Sequence, residues 1–285
     1  MAQRTAPTAR QQRLGTELRK LRERAGMTAR EAGELLGGNQ ARISNIEAGR
    51  SPVSAAMVRT LACNYDCSDE PLLEALAGMT GERRRGWWEE YRGVLPTGLL
   101  DLAELEHHAT GLRIGHTVHI PGLLQTIDHA RVVFQQGVPA LPPPEVEHRL
   151  SHRIKRQAVL YRDEPQPPTF TAVLHEAALR MQFGGPATTR AQLQHILDMS
   201  ERDHITVVVI PFASGAFPGS GQSVCYACGP VPQLDTVQLD QSHGSVLLDA
   251  EAQLVKYRTL LDRMEAAALK PNRSRDFIHE IARSL

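Results

Sequence analysis

The sequence predicts an α+β chain: an all-α N-terminal unit of five short helices, then a mixed α/β domain. Two observations carry that division. Between Leu14 and Leu76 the apolar residues recur at helical spacing, in short runs punctuated by glycines and capping residues. Beyond Leu99, helical runs alternate with short β-branched stretches such as ITVVVI, the texture of a mixed sheet covered by helices. The length of 285 residues fits one small domain plus one of ordinary size. Apolar content of 41% and charged content of 22% are globular values and exclude wholesale disorder. The opening MAQRTAPTARQQR has no apolar leader core, and no run of eighteen apolar residues follows, so the expectation is a cytoplasmic protein with no membrane span. The expected layout is a flexible tail over 1–13, a helical unit over 14–80, a connector over 81–98 and an α/β domain over 99–285.

The elements follow in order. Leu14, Leu18 and Leu21 share one face of a first helix that ends at Gly26. Thr28, with Glu31 three residues on, forms a capping box that opens a second helix to Leu36. Gly37 and Gly38 stop it. Asn39 caps a third helix, Gln40 to Ala48, and Ser54 caps a fourth that runs to about Asn64. PLLEALAGM supplies the fifth. The connector holds Arg83, Arg84 and Arg85 beside Trp87, Trp88 and Tyr91, rings better suited to docking one domain on another than to stacking on bases. In the second domain, alternation at Leu112, Ile114, Val118 and Ile120 predicts a strand, followed by a helix from Leu123 to Gln135. VPALPPPE is a loop launching a charged helix to about Tyr161. PTFTAVLHE, HITVVVIPF, QSVCYACG and LDTVQLDQ read as strands, the second apolar throughout and therefore expected at the centre of the sheet. Helices at about Thr188–Glu201, Asp249–Leu269 and Ser274–Ser284 complete the set. No repeat at periods of 20 to 50 residues is present.

The net charge is zero, but its placement is uneven. Residues 1–62 hold eleven Arg/Lys against five Asp/Glu, and the remainder carries the compensating acidic excess. A basic N-terminal module is the footprint of a phosphate-binding unit. Arg4, Arg10 and Arg13 of the tail are candidates for minor-groove contacts. The four cysteines fall in two pairs, Cys63 with Cys67 and Cys225 with Cys228. Without a leader, structural disulfides are not expected. The C-x2-C spacing suits zinc, yet in a strand positions i and i+3 face opposite sides, so no metal site is expected.

Residues 28–50 carry the strongest signal. Two helices cross steeply through a short turn only if the side chain at their closest approach is minimal, and Gly33 stands there. Gly37 tolerates the positive φ the turn needs. Ala32, Leu36, Ile43 and Ile46 are the apolar positions that lock the helices together. That leaves Gln40, Ala41, Arg42, Ser44 and Asn45 exposed on the third helix, a polar or basic face suited to a major groove roughly 12 Å wide.

TAREAGELLGGNQARISNIEAG resembles the Cro/repressor-type (XRE) helix-turn-helix, matching its pattern at Thr28, Gly33, Leu36, Gly37, Gln40, Ile43, Ser44, Glu47 and Gly49. It departs at Gly38, usually branched apolar, and at Ile46, often Trp. The resemblance implies a lambda-repressor-like domain that binds duplex DNA, with Gln40, Ala41 and Asn45 on base edges and Arg42 with neighbouring polar groups on phosphates. The candidate DNA-contacting set is Thr28, Arg30, Gln40, Ala41, Arg42, Ser44, Asn45 and Arg50. WWEEY, IPGLLQT, RIKRQAVL, HEAALR, QLQHIL, VVVIPF and AALKP are similar to the C-terminal domain of a large group of actinobacterial regulators, a domain whose biochemical role is undetermined. That resemblance implies a small partner protein encoded nearby.

Enzymatic readings are weaker. His148 and His152 stand i, i+4 on a helix but lack the glutamate of H-E-x-x-H, so they read as a solvated face. His175-Glu176 lies at a strand-to-helix junction without a second histidine and reads as a cap. The loop GAFPGSGQS matches neither G-x-x-x-x-G-K-[ST] nor G-x-S-x-G. No catalytic residue, metal ligand or cofactor is therefore assigned. The expected function is a transcription regulator, a homodimer on an inverted repeat, whose C-terminal domain binds a ligand or partner near Gly122, Gln125, Thr126, Phe212 and Gly215, in loops where α/β domains place ligands. The alternatives are an antitoxin-like protein that neutralises a small neighbour, and an enzyme or redox sensor with an appended DNA-binding module.

Overall fold

A computed structural model of the chain describes residues 6–80, 86–219, 221–241 and 244–285. The chain divides into two compact units, residues 1–87 and 88–285.

The first unit holds α1 (Ala9–Arg24), α2 (Ala29–Leu35), α3 (Gln40–Glu47), α4 (Ala55–Asn64) and α5 (Glu70–Gly78). α1 starts five residues before Leu14, inside the expected tail. The cause is a capping box at Thr8, whose hydroxyl accepts from the Gln11 amide while the Gln11 side chain accepts from the Thr8 amide. Arg10 donates to the Gly78 carbonyl at 3.3 Å and Arg13 to Glu17 at 2.8 Å, so neither belongs to a free arm. Arg4, like Arg83, Arg84 and Arg85, lies outside the described residues. Leu14, Leu18, Leu21, Ala32, Ile43, Ile46, Val58, Leu61 and Leu76 are buried and form the core.

Of the stretch expected as a connector, residues 88–98 belong to the second unit. Residues Trp87–Tyr91 form a 3-10 turn, and Trp88, Tyr91 and Leu95 are buried. Trp88 lies 5.1 Å from the His107 ring, and the Tyr91 hydroxyl is 2.8 Å from Ser151 Oγ. Of the rings expected to dock one domain on another, Trp88 and Tyr91 pack within the second unit. The remaining elements are α6 (Thr97–His108), which the sequence reading passed over, β1 (Gly111–His116), α7 (Ile127–Gln135), α8 (Pro143–Gln157), β2 (Thr169–His175), α9 (Glu176–Arg180), α10 (Gly185–Met199), β3 (Ile205–Ile210), β4 (Val224–Cys228), β5 (Thr236–Gln241), β6 (Gly244–Leu248), α11 (Glu251–Ala267) and α12 (Pro271–Ser284).

The six strands form one sheet in the order β3-β2-β1-β4-β5-β6. β1, β2 and β3 run parallel, and β4, β5 and β6 extend the sheet antiparallel from β1. One face packs Leu112, Ile114, Ala172, Leu174, Val207, Val209 and Cys225 against Leu193, Ile196, Ile278 and Ile281 of α10 and α12. The other packs Val173, Val208, Ile210, Tyr226 and Val237 against Leu254, Leu261 and Met264 of α11. A Cβ at Gly115 would stand 2.8 Å from Met264 Sδ, so this glycine lets α11 approach β1.

β3 is an edge strand, against the expectation that its apolar run placed it centrally. Helices bury both its faces, which accounts for the composition. Its outer backbone edge is closed at Val209 by the segment that joins α11 to α12 and by the start of α12: Leu269 N donates to the Val209 carbonyl at 2.8 Å, and Val209 N donates to Ser274 Oγ at 3.0 Å. Val118 is exposed and lies beyond β1, which ends at His116. The helix expected from Leu123 is instead a 3-10 turn, Gly122–Leu124, followed by α7 under a separate Thr126 cap.

Candidate nucleic-acid interface

α2 opens on the Thr28 capping box: Thr28 Oγ1 accepts from Glu31 N, and Thr28 N donates to Glu31 Oε2 at 2.7 Å. The two helices meet at Gly33, where a Cβ would lie 2.6 Å from the Asn39 carbonyl carbon. Gly37 turns the chain at φ +61°. Asn39 Oδ1 accepts from Arg42 N at 3.1 Å and starts α3. A second close approach, at Gly15, sets α1 on α3: a Cβ there would fall 2.3 Å from the Glu47 carbonyl oxygen. Arg22 then clamps the pair from the side, donating to Glu47 at 2.6 and 2.9 Å and to the Met27 carbonyl at 2.7 Å. Ile43 and Ile46 face inward from α3.

With that side fixed, the other is presented to solvent. Gln40, Ala41, Arg42 and Ser44 are exposed and Asn45 is half-buried at the margin. At 100° per residue, positions 40, 41, 44 and 45 fall on one arc opposite Ile43 and Ile46. Arg42 lies against the turn, its Nη1 3.5 Å from the Leu36 carbonyl, over the bare α-carbon of Gly38. Arg30 pairs with Glu34 at 3.1 Å, both side chains more than half exposed, and such a pair exchanges readily for a phosphate. Arg50 is exposed. Thr28 is already occupied by its cap, so its hydroxyl is committed to helix geometry.

The C-terminal candidates occupy two places at the same end of the sheet, since the loops holding them follow the parallel strands β1 and β3. Gln125 is buried; its amide donates to the Ile120 carbonyl at 2.8 Å, and its oxygen accepts from Arg153. Thr126 caps α7, and its amide donates to Gln192 Oε1 at 2.8 Å. Gly122 faces the Arg153 guanidinium, and its carbonyl accepts from Gln157. Phe212 is exposed and sits edge-on to His175 at 5.0 Å, while Gly215 closes the following turn at φ +72°. Thr117 Oγ1, which donates to the Gly221 carbonyl at 3.0 Å, ties the segment after β1 to the loop after β3.

A helix-turn-helix domain model matches residues 13–76, and a model described as a domain of unknown function (DUF5753) matches residues 99–280, more than half of the chain. The chain belongs to the DUF5753 family. No curated protein and no solved structure matches it.

Within the DUF5753 domain, the groups singled out for chemistry have structural partners. His175 Nδ1 accepts from Ala177 N, capping α9, and Glu176 accepts from Phe212 N at 2.7 Å and from Arg180 at 2.6 Å. Cys225 and Cys228 pack into opposite faces of the sheet, and burial pushes both thiols upward. His148 is exposed, but His152 is buried against Tyr91 at 5.1 Å, which corrects the reading of both as a solvated face. Burial, then Arg156 and Arg153, hold His152 down at about 3. Among the described residues no three His, Cys, Asp or Glu side chains converge as metal ligands, and no helix is long and apolar enough to cross a membrane. Sequence reasoning missed Gly15, the Arg22–Glu47 clamp, and Arg153 with the histidines near it. The Leu-Gly step inside an otherwise strong helix was the available signal for Gly15.

Proposed function

We propose that this chain is a sequence-specific regulator of transcription that binds duplex DNA with α3 in the major groove, acts as a homodimer on an inverted repeat, and senses a ligand or partner through its DUF5753 domain. The observation that carries the reading is the arc of exposed Gln40, Ala41 and Ser44 with half-buried Asn45 at its margin, on a helix whose other side is locked by Gly15, Gly33 and Glu47. A rigidly held helix with uncharged hydrogen-bonding side chains at its free end is suited to base edges, and Arg30, Arg42 and Arg50 around it are suited to phosphates. The pattern of residues 28–49 supports assignment to the XRE type, and the motifs of the second domain support an actinobacterial origin. Dimerisation follows from the small footprint, because one such domain covers only one half-site. The commitment of His175 and Glu176 to caps and ion pairs favours binding over catalysis.

The test is operator selection from a random duplex library with the full chain, then substitution. Gln40→Ala and Asn45→Ala are expected to cost about 1–3 kcal/mol on the selected site and to relax preference at one position per half-site. Arg42→Ala is expected to weaken selected and random DNA alike and to flatten the salt dependence by about one phosphate. Equal losses on both duplexes for Gln40→Ala would remove α3 from the groove.

A further inference from the structure

We propose that Arg153, His129 and His119 line a binding site for a small organic anion, a carboxylate or a phosphate ester, whose charged group takes the open edge of the Arg153 guanidinium and the buried His129 ring. The inference deepens the reading of the DUF5753 domain as a sensor and rests on it only for its biological meaning.

Among the described residues Arg153 has no carboxylate partner. Arg22 and Arg156 each hold a glutamate in two hydrogen bonds, Arg156 reaching Glu106 at 2.7 and 2.5 Å. Arg153, on α8, instead donates one N–H to the neutral Gln125 side chain and lies with its central carbon 4.7 Å from the Phe134 ring centroid. No carboxylate lies within ion-pair distance of it among the described residues. A guanidinium carries five N–H donors, so an edge is left over. Gly122 lets the guanidinium pack directly on the backbone after β1: a Cβ there would stand 3.0 Å from it. Burial, then the neighbouring Arg156, lower the Arg153 pKa to about 9, the response of a cation lacking an anion.

His129, in the first turn of α7, is 1% exposed, and among the described residues neither of its ring nitrogens has a hydrogen-bond partner. A buried imidazole left open on both sides marks a place where something else belongs. Its ring meets the edge of Phe183 at 5.3 Å, and the exposed His119 ring meets Phe183 at 5.2 Å. Phe183 is therefore shared by a histidine at the surface and a histidine in the interior, and offers an apolar seat between them. Burial, together with His119 and Arg153, holds His129 near 4, so its ring is neutral at pH 7 and donates one N–H.

The surrounding charges select the sign of the ligand. Glu106 is saturated by Arg156, and Asp240 is exposed and accepts from Gln238 at 2.6 Å, which leaves Arg153 as the unsatisfied charge. A metal ion is disfavoured by that guanidinium, and His116 Nδ1 is already 3.1 Å from the His119 carbonyl. The site also lies where ligands are commonly held in such sheets. It follows the C-terminal end of β1, whose neighbours run parallel on one side and antiparallel on the other.

The experiment is calorimetric titration of the full chain, without DNA, with sodium phosphate and with sodium benzoate, each against sodium chloride at equal ionic strength. Saturable binding of at least one probe is expected, weakened at least about tenfold by Arg153→Gln and about threefold by His119→Ala, with unchanged thermal melting in the second variant. Saturation by benzoate alone assigns a carboxylate ligand, and saturation by phosphate alone a phosphate ester. Failure of both probes to saturate overturns the proposal, as does equal affinity in wild type and Arg153→Gln. Should Arg153→Gln not fold, unchanged affinity in His119→Ala overturns it instead. Operator binding is measured separately on the same proteins: its loss in wild type with probe binding intact would sink the regulator reading and leave the site standing.

Discussion

Glu47 provides the sharpest test of how the reading helix is held. Its carboxylate takes two hydrogen bonds from Arg22 at 2.6 and 2.9 Å, with side-chain exposures of 10% and 9% for the two partners. Removing one member of a buried pair strands the other charge and costs about 3–5 kcal/mol. A helical unit of this size has a total stability of roughly 4–10 kcal/mol, so Glu47→Ala removes a third or more of it. Backbone hydrogen exchange measured by mass spectrometry on the full chain reads this locally. Protection in α1 and α3 is expected to fall about a hundred- to a few thousand-fold, while the second unit is unchanged. The double substitution Arg22→Met with Glu47→Leu removes both charges and is expected to recover most of the loss, along with operator binding. Glu47→Ala that leaves protection within about threefold of wild type, or a double variant as weak as the single, would refute a clamping role. Burial and then Glu47 also push the Tyr65 hydroxyl up to about 12, so Glu47→Ala is expected to bring its spectroscopic titration down.

Gly33→Ala places a methyl 2.6 Å from the Asn39 backbone, whereas Gly37→Ala meets only its own positive φ, with nothing within 4 Å. Operator affinity should therefore fall more for Gly33→Ala, whose overpacking costs about 1–3 kcal/mol, than for Gly37→Ala at about 1 kcal/mol; the reverse order in a titration would count against the crossing geometry. His129 and His152 are buried with pKa values pushed down to about 4 and about 3, below the usual 6.5. The unfolded chain takes up those protons first, so stability of the second unit is full above about pH 6.5 and declines as pH falls. The contribution of these two rings to the slope approaches two protons, about 2.7 kcal/mol per pH unit, between pH 6 and 5. Melting followed by hydrogen exchange across that range checks it, and a flat profile would mean that both rings are solvated. Cys63 is exposed and Cys225 buried, so alkylation of the native chain is expected at Cys63 and blocked at Cys225 until unfolding, as peptide mapping would show. Light scattering on operator DNA should give two chains per inverted repeat.

The legible parts of this molecule were those in which local chemistry decides. Thr28 with Glu31, Asn39, Ser54 and the glycines at 26 and 37 each act over a few residues, and helices α2, α3 and α4 start where those caps place them. Thr8 with Gln11 is the same signal, hidden in a stretch without apolar periodicity, and α1 consequently begins earlier than its hydrophobic face suggests. The strands were legible as strands, but their neighbours were not. An apolar run reports burial on two faces and carries nothing about which edges are paired, so β3 read as central although helices and a turn enclose it. β6 and α6 escaped because their faces are only partly apolar. In the candidate interface the exposed face of α3 followed from periodicity, but the partners that hold it did not: Arg22 and Glu47 are twenty-five positions apart in an Arg/Glu-rich segment where many pairings are equally open. Arg153 and His129 met the same obstacle, since their juxtaposition depends on how α7 and α8 pack.

The seal on β3 sets an order of events during synthesis. Val209 leaves the ribosome about sixty residues ahead of Leu269 and Ser274, which close its backbone edge. At roughly 5–20 residues per second, the strand waits on the order of 3–12 s with its N–H and C=O groups open. For that interval the nascent chain exposes the outer edge of a Val-Val-Val-Ile strand, the kind of edge to which another strand can add, and the segment that closes it at Val209 is among the last to be made.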